Sequence, residues 1–213
     1  MENKYYGHNY VCLDLETSGF EPSQGNFITE IALILICGKK LDIIGEAESF
    51  VSPYGGEVID QKALDATGIS RAQINGGESY KEIVKDMIDV AKELKIGKYN
   101  KPILVAHNAK FERKFLEHLF LMANRNIWDY FEHDMYDTMK MSRDKFGSEK
   151  SHTLSSLCER FDIVNDSAHR AMADTKVTAQ VFIAMQSQFR GSKTKIINNS
   201  KSVRFRDTFK FQF

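Results

Sequence analysis

Apolar and polar positions alternate along this chain with two different periods, and the changes of period mark its elements. Tyr10 to Leu15 and Phe27 to Cys37 are rich in aliphatic and β-branched residues and flank a turn-forming stretch, Ser18 to Asn26. They predict two adjacent strands. A third strand is expected from about Leu41 to Val51, ending before Pro53 and the turn residues Gly55 and Gly56. The period then lengthens. Ser79 followed by Glu82 fits a capping box, and Tyr80, Ile83, Val84, Met87, Ile88, Ala91 and Leu94 recur at helical spacing up to Gly97. Pro102 to Ala106 is too short for a helix and suits a buried strand. Asn108 is placed to cap a helix whose buried stripe is Phe111, Phe115, Leu116, Leu119 and Phe120. A brief strand at Met135 to Asp137, helices over Thr138 to Lys145 and Thr153 to Phe161, and a last helix over Arg170 to Gln188 complete the pattern.

Three leading strands followed by alternating helices and strands predict an α/β fold, a mixed β-sheet flanked by helices. In such sheets ligands gather at the carboxyl ends of strands. One domain is expected over residues 1–188 and a separate C-terminal tail over 189–213. In the tail Val203, Phe205, Phe209, Phe211 and Phe213 alternate with polar residues, compatible with an edge strand.

Charge changes this picture only at the end of the chain. Lysine plus arginine and aspartate plus glutamate number 29 each, so net charge does not call for nucleic acid or an anionic membrane. From Gln186 onward, however, seven bases face the single acid Asp207, a local charge of +6 that leaves the preceding 185 residues at −6. Bases interleaved with phenylalanines suit phosphate contact and base stacking, with a disordered or edge-strand tail as the alternative. The longest apolar run, Ile31 to Cys37, is far shorter than the about 20 residues a membrane span needs, and no leader is visible, so a cytoplasmic protein without membrane contact is expected. Cys12, Cys37 and Cys158 sit in apolar patterns without metal-binding spacing and read as reduced, packed thiols.

Three short segments hold the candidate chemistry. Asp14 and Glu16 end the first strand at positions i and i+2, on one face of the sheet, where two carboxylates repel unless a cation or shared proton intervenes. A solvated strand end explains such a pair equally well. His107 to Glu112 spans a strand-to-helix junction, where capping explains Asn108 and the helix dipole explains Glu112. His169 and Asp174 open the last helix, where a surface histidine and an exposed helix acid would also fit.

Their joint occurrence in this order is more specific. Asp14-x-Glu16-Thr17-x-Gly19, the His107 to Glu112 segment and His169-x-Ala171-x-x-Asp174, with Ile28-x-Glu30-Ile31-Ala32, Phe50-Val51-x-Pro53, Thr67-Gly68-Ile69, Asp137-Thr138 and Thr153-Leu154-x-x-Leu157 between them, resemble the DEDDh 3′-to-5′ exonucleases. That is the proofreading-exonuclease superfamily, with a ribonuclease H-like fold, and the resemblance runs from about Tyr10 to Met185. It implies hydrolysis of phosphodiester bonds at single-stranded or frayed 3′ ends of DNA or RNA, releasing nucleoside 5′-monophosphates. It implies two divalent ions, Mg²⁺ or Mn²⁺, about 3.5–4 Å apart, held by Asp14, Glu16 and Asp174 with Glu112 supporting from outside. By the same resemblance His169 is the general base, Thr17 lies near the terminal 3′-hydroxyl and Phe20 against the last base. Phe20 as a buried loop anchor is the alternative. Asn108 is either a phosphate contact or a cap, and His107, Asp137 and His152 are structural or support the ligands. The family's middle motif ends in aspartate, whereas Glu112 stands here; glutamate keeps the charge and adds a methylene. A non-catalytic nucleic-acid-binding module that kept the fold is the competing expectation, and a polymerase partner or a second copy of the chain stays open.

Overall fold

The first strand is covered on both faces, and the alternation of its side chains between them organises the molecule. The computed structural model describes residues 7–147, 150–164 and 170–191. Within them β1 (Tyr10–Thr17), β2 (Ile28–Cys37), β3 (Asp42–Phe50), β4 (Ile103–Ala106) and β5 (Tyr136–Asp137) form one sheet in the order β3-β2-β1-β4-β5. The first three strands pair antiparallel, while β4 and β5 run parallel to β1. The mixed sheet flanked by helices is therefore as expected. β2, central among the antiparallel strands, is buried over nine of its ten residues, which explains why it reads as a continuous apolar run.

The two sides of the sheet bury different residue sets. Val11, Leu13 and Leu15 of β1 join Ile31, Leu33 and Leu35 of β2 beneath α3 (Tyr80–Leu94) and α4 (Ala109–Met122). Tyr10, Cys12, Ile34 and Ile36 point the other way, against Ala179, Phe182 and Ile183 of α7 (Ala171–Phe189). Tyr10, Cys12, Asp14 and Glu16 share a parity, so the pattern that packs β1 on α7 also carries both acids to the α7 side. The smaller helices α5 (Thr138–Phe146) and α6 (Leu154–Phe161) support α7 through Leu157, Cys158, Val177, Val181 and Met185. Cys12, Cys37 and Cys158 are free thiols, the first and last buried.

Helix ends follow local chemistry. The Ser79 and Glu82 capping box of α3 forms as read. Two short helices, α1 (Gln61–Thr67) and α2 (Arg71–Asn75), were not anticipated. They are too brief to show a period, and their signals are caps alone: Asp60 accepts from the Lys62 amide, and Ser70 with Gln73 forms a second capping box. The expectation for Asn108 needs correction. It takes a left-handed backbone conformation (φ 72°) before α4 and its side chain makes no capping hydrogen bond. Its amide instead donates to Asp137 Oδ1 at 3.2 Å, an oxygen that also accepts from the Met139 and Lys140 amides and so caps α5. The C-terminal tail, with its anticipated edge strand, lies outside the described residues from 192 onward.

Candidate active site

β1 outruns its parallel neighbour. Cys12 is the last β1 residue paired with β4, while pairing with β2 continues to Thr17. Asp14 and Glu16 therefore stand where β4 has already turned into α4, and the first turn of α4 brings Glu112 to that edge. From the opposite side α7 contributes Asp174, in its first turn. Ligand oxygens of Asp14, Glu16 and Asp174 lie within 4.8 Å of one another. Acids 160 positions apart in sequence thus meet because α7 packs on the even-numbered face of β1.

Electrostatics show how crowded this arrangement is. Burial pushes the Asp14 carboxyl well above the ordinary carboxylate range, and Glu112, Glu16 and Asp174 add their repulsion. Burial also raises Glu16 to about 7, helped by Glu30 and Asp174 and opposed by Arg170. Glu112, only 4% exposed, is pushed up to about 8, mainly by burial. Its Oε2 has no hydrogen-bond partner among the described residues. Buried carboxylates are normally paired or bind metal. The three clustered acids with an orphaned fourth oxygen beside them fit hard divalent cations, which take oxygen ligands. Glu112 stands outside the group of three.

The loop after β1 forms the rim. The β1–β2 register shifts between Glu16 and Thr17, and such a bulge turns the following side chains out of the strand's alternation. Thr17 is buried and its hydroxyl donates to the Gly19 carbonyl at 2.7 Å, leaving its lone pairs free to accept. A Cβ at Gly19 would collide with the Asn26 side chain, which is held in place by donating to the Ser18 and Val58 carbonyls. Asn26 Oδ1 in turn accepts from the Glu21 amide. Phe20 is 78% exposed, so it is not a buried loop anchor. The Lys114 ammonium ties the loop to α4 by donating to the Phe20 carbonyl and to Glu21.

The remaining candidates divide cleanly. His107 pairs through Nδ1 with the Thr138 hydroxyl at 2.9 Å, and burial lowers its pKa below the ordinary histidine value. His152 is buried between the Ser142 hydroxyl and the Gly147 carbonyl, a support for the α5–α6 connection. His169 lies outside the described residues. Two residues near the site were not singled out as functional, Glu30 and Arg170, whose carboxylate and guanidinium meet at 2.8 Å. The available signal was a lone acid inside the otherwise apolar β2.

Comparison with known proteins agrees with this geometry. The chain is 29% identical over 197 residues to DNA polymerase III subunit epsilon of Rickettsia prowazekii, covering 91% of this chain and 80% of that protein. It is 28% identical over 194 residues to the PolC-type DNA polymerase III of Caldanaerobacter subterraneus, of which it spans only 13%. Among solved structures, the nuclease domain of 3′hExo, a DEDDh family member bound to rAMP, superimposes with a TM-score of 0.71 at 20% identity, covering 92% of this chain and 98% of that one. The family model described as exonuclease (RNase_T) matches residues 11–182, and with four-fifths of its length so matched the chain belongs to the exonuclease family.

Proposed function

We propose that this chain is a metal-dependent 3′-to-5′ exonuclease that shortens single-stranded or frayed nucleic acid and releases nucleoside 5′-monophosphates. The observation that carries this reading is the meeting of Asp14, Glu16 and Asp174 within 4.8 Å. The relatives named as polymerase III subunits and the neighbour bound to rAMP support nucleic-acid 3′ ends as its substrate class.

Asp14, Glu16 and Asp174 would hold two divalent ions, Mg²⁺ or Mn²⁺, with Glu112 supporting from α4. When bound, these ions supply charge neutralisation, Lewis acidity and an activated water. The chain's own residues do the rest. Phe20, projecting from a loop pinned by Lys114, offers an apolar face for the terminal base, and stacking of that kind tolerates any sequence. Thr17, with lone pairs free, accepts from the terminal 3′-hydroxyl. His169 precedes in sequence the helix that carries Asp174, and histidine, whose unperturbed imidazole exchanges its proton near neutral pH, is the residue type suited to take the proton of the attacking water. The Asn108 side chain, released from capping, is available to a phosphate oxygen.

Incubating the protein with 5′-labelled DNA and RNA oligomers, in Mg²⁺, Mn²⁺ or chelator, tests the reading. A ladder shortening from the unlabelled 3′ end, abolished by chelator, is the expected result. Asp14→Ala and Asp174→Ala should stop it, and His169→Ala should stop it while retaining nucleic-acid binding best. Binding that ignores chelator and yields no product would instead describe a non-catalytic module.

A further inference from the structure

Glu30 and Glu16 are register partners on neighbouring antiparallel strands. Directly opposed side chains in such a pair stand about 4.5–5.5 Å apart at Cβ, and both of these are acids on the α7 side of the sheet. Arg170, the residue before α7, reaches this pair through Glu30. Its Nη2 donates to Glu30 Oε1 at 2.8 Å and its Nε to Glu30 Oε2 at 3.4 Å. Glu30 Oε2 also accepts from the Ala171 amide at 3.2 Å, capping α7 from the sheet because Arg170 makes no side-chain cap of its own. The Glu30 side chain is 3% exposed and that of Arg170 46%.

Glu16, directly opposite Glu30 in the register, stands beside the same guanidinium. Glu30 and Glu16 thus compete for one cation, with Glu48 a third acid in its field. If Arg170 turned to Glu16, it would neutralise one of the three carboxylates that face the proposed metals and occupy lone pairs a metal needs.

We infer that Glu30 is a positioning residue whose task is to engage Arg170 and keep Glu16 open as a metal ligand. The pair does more than anchor α7. Glu30 wins because it offers both oxygens, one of them already fixed by the Ala171 amide, and because a buried carboxylate cannot be left unpaired. Glu48, exposed on β3, lies in Arg170's field ahead of Glu16, but as a hydrated surface acid it gains little by pairing and does not hold the guanidinium away from the half-buried Glu16. This inference rests on the metal-dependent reading proposed above.

A double-mutant cycle on Mn²⁺ affinity, measured by calorimetry on the full chain without nucleic acid, tests it. Glu30→Gln keeps an oxygen for the Ala171 amide but releases Arg170, and should weaken Mn²⁺ binding by about tenfold, within the range typical of residues that support metal ligands. Arg170→Gln removes the competitor and should stay within about threefold of wild type. Combining the two should restore affinity to within about threefold, since no cation is left to reach Glu16. Glu48→Gln serves as the neutral control. A purely structural latch predicts the opposite, with Arg170→Gln and the double variant as weak as Glu30→Gln or weaker, and that result overturns the inference, as does unchanged affinity in Glu30→Gln. Should Glu30→Gln fail to fold, the double variant, which removes both charges, decides alone: a tenfold or greater loss overturns the inference. Asp14→Asn and Asp174→Asn separate the two claims. If they too leave Mn²⁺ binding intact, the metal reading itself fails, whereas loss in them without loss in Glu30→Gln removes only the role of Glu30.

Discussion

Asp14 is the most crowded acid of the site, half-buried and acted on by Glu112, Glu16 and Asp174. Replacing it with asparagine preserves shape and removes one charge of the cluster. We expect turnover of a single-stranded oligomer to fall by roughly 10²–10³-fold or more, on the scale of losing one preorganised electrostatic group, while the fold becomes no less stable in chelator because a repulsive charge has gone. Paired measurement of turnover and thermal midpoint checks both signs. Phe20 calls for a different outcome. It is exposed and pays nothing to the core, so Phe20→Ala should raise KM with little change in kcat. Stacking worth about 1–3 kcal/mol per base corresponds to a KM increase of roughly 5- to 150-fold, read from initial rates against substrate concentration. A fall in kcat with KM unchanged would move Phe20 from binding to chemistry.

At the scale of elements, caps rather than periodicity decide what the eye misses. The long amphipathic α3 and the last helix follow their apolar spacing to within a residue or two, and β1 to β3 follow their β-branched content. α1 and α2 have five to seven residues and no full apolar stripe. Asn108 misleads because its residue type favours both capping and the left-handed backbone, and only the neighbouring strand shows which applies. Asp137 is the consequence. One carboxylate oxygen accepts from three amides, two opening α5 and one at Asn108 before α4. Asp137→Ala should therefore cost about 1–2 kcal/mol, the upper range for a lost cap, measured by urea unfolding. Because it also frees the α4 junction that carries Glu112, turnover should fall in the same variant. Unchanged stability would show that the cap is replaced by water.

The whole molecule stores its tension in the acids of the site. Glu16 and Glu112 are raised to about 7 and about 8, so the metal-free fold holds protons that the unfolded chain has released above about pH 4.5. Stability in chelator must then fall as pH rises from about 5 through 8, because the native state binds more protons than the unfolded state across that window. The thermal midpoint should drop by about 2–4 °C for each kcal/mol lost in a domain of this size. Mn²⁺ should restore more at pH 8.5 than at pH 5.5. A midpoint in chelator that rises over the same interval would contradict the crowded, repelling cluster. Sequence by itself determined the alternation that makes β1 and β2 strands, the spacing that makes α3, α4 and α7 helices, and the acids that end β1, since period, caps and residue type are local properties. Only tertiary structure decided that α7 lies on the even face of β1 and brings Asp174 to Asp14, that Phe20 faces outward, and that Glu30 rather than Glu16 takes Arg170. Those outcomes depend on which surfaces pack together and which charges lose their water, and neither is written at any single position of the chain.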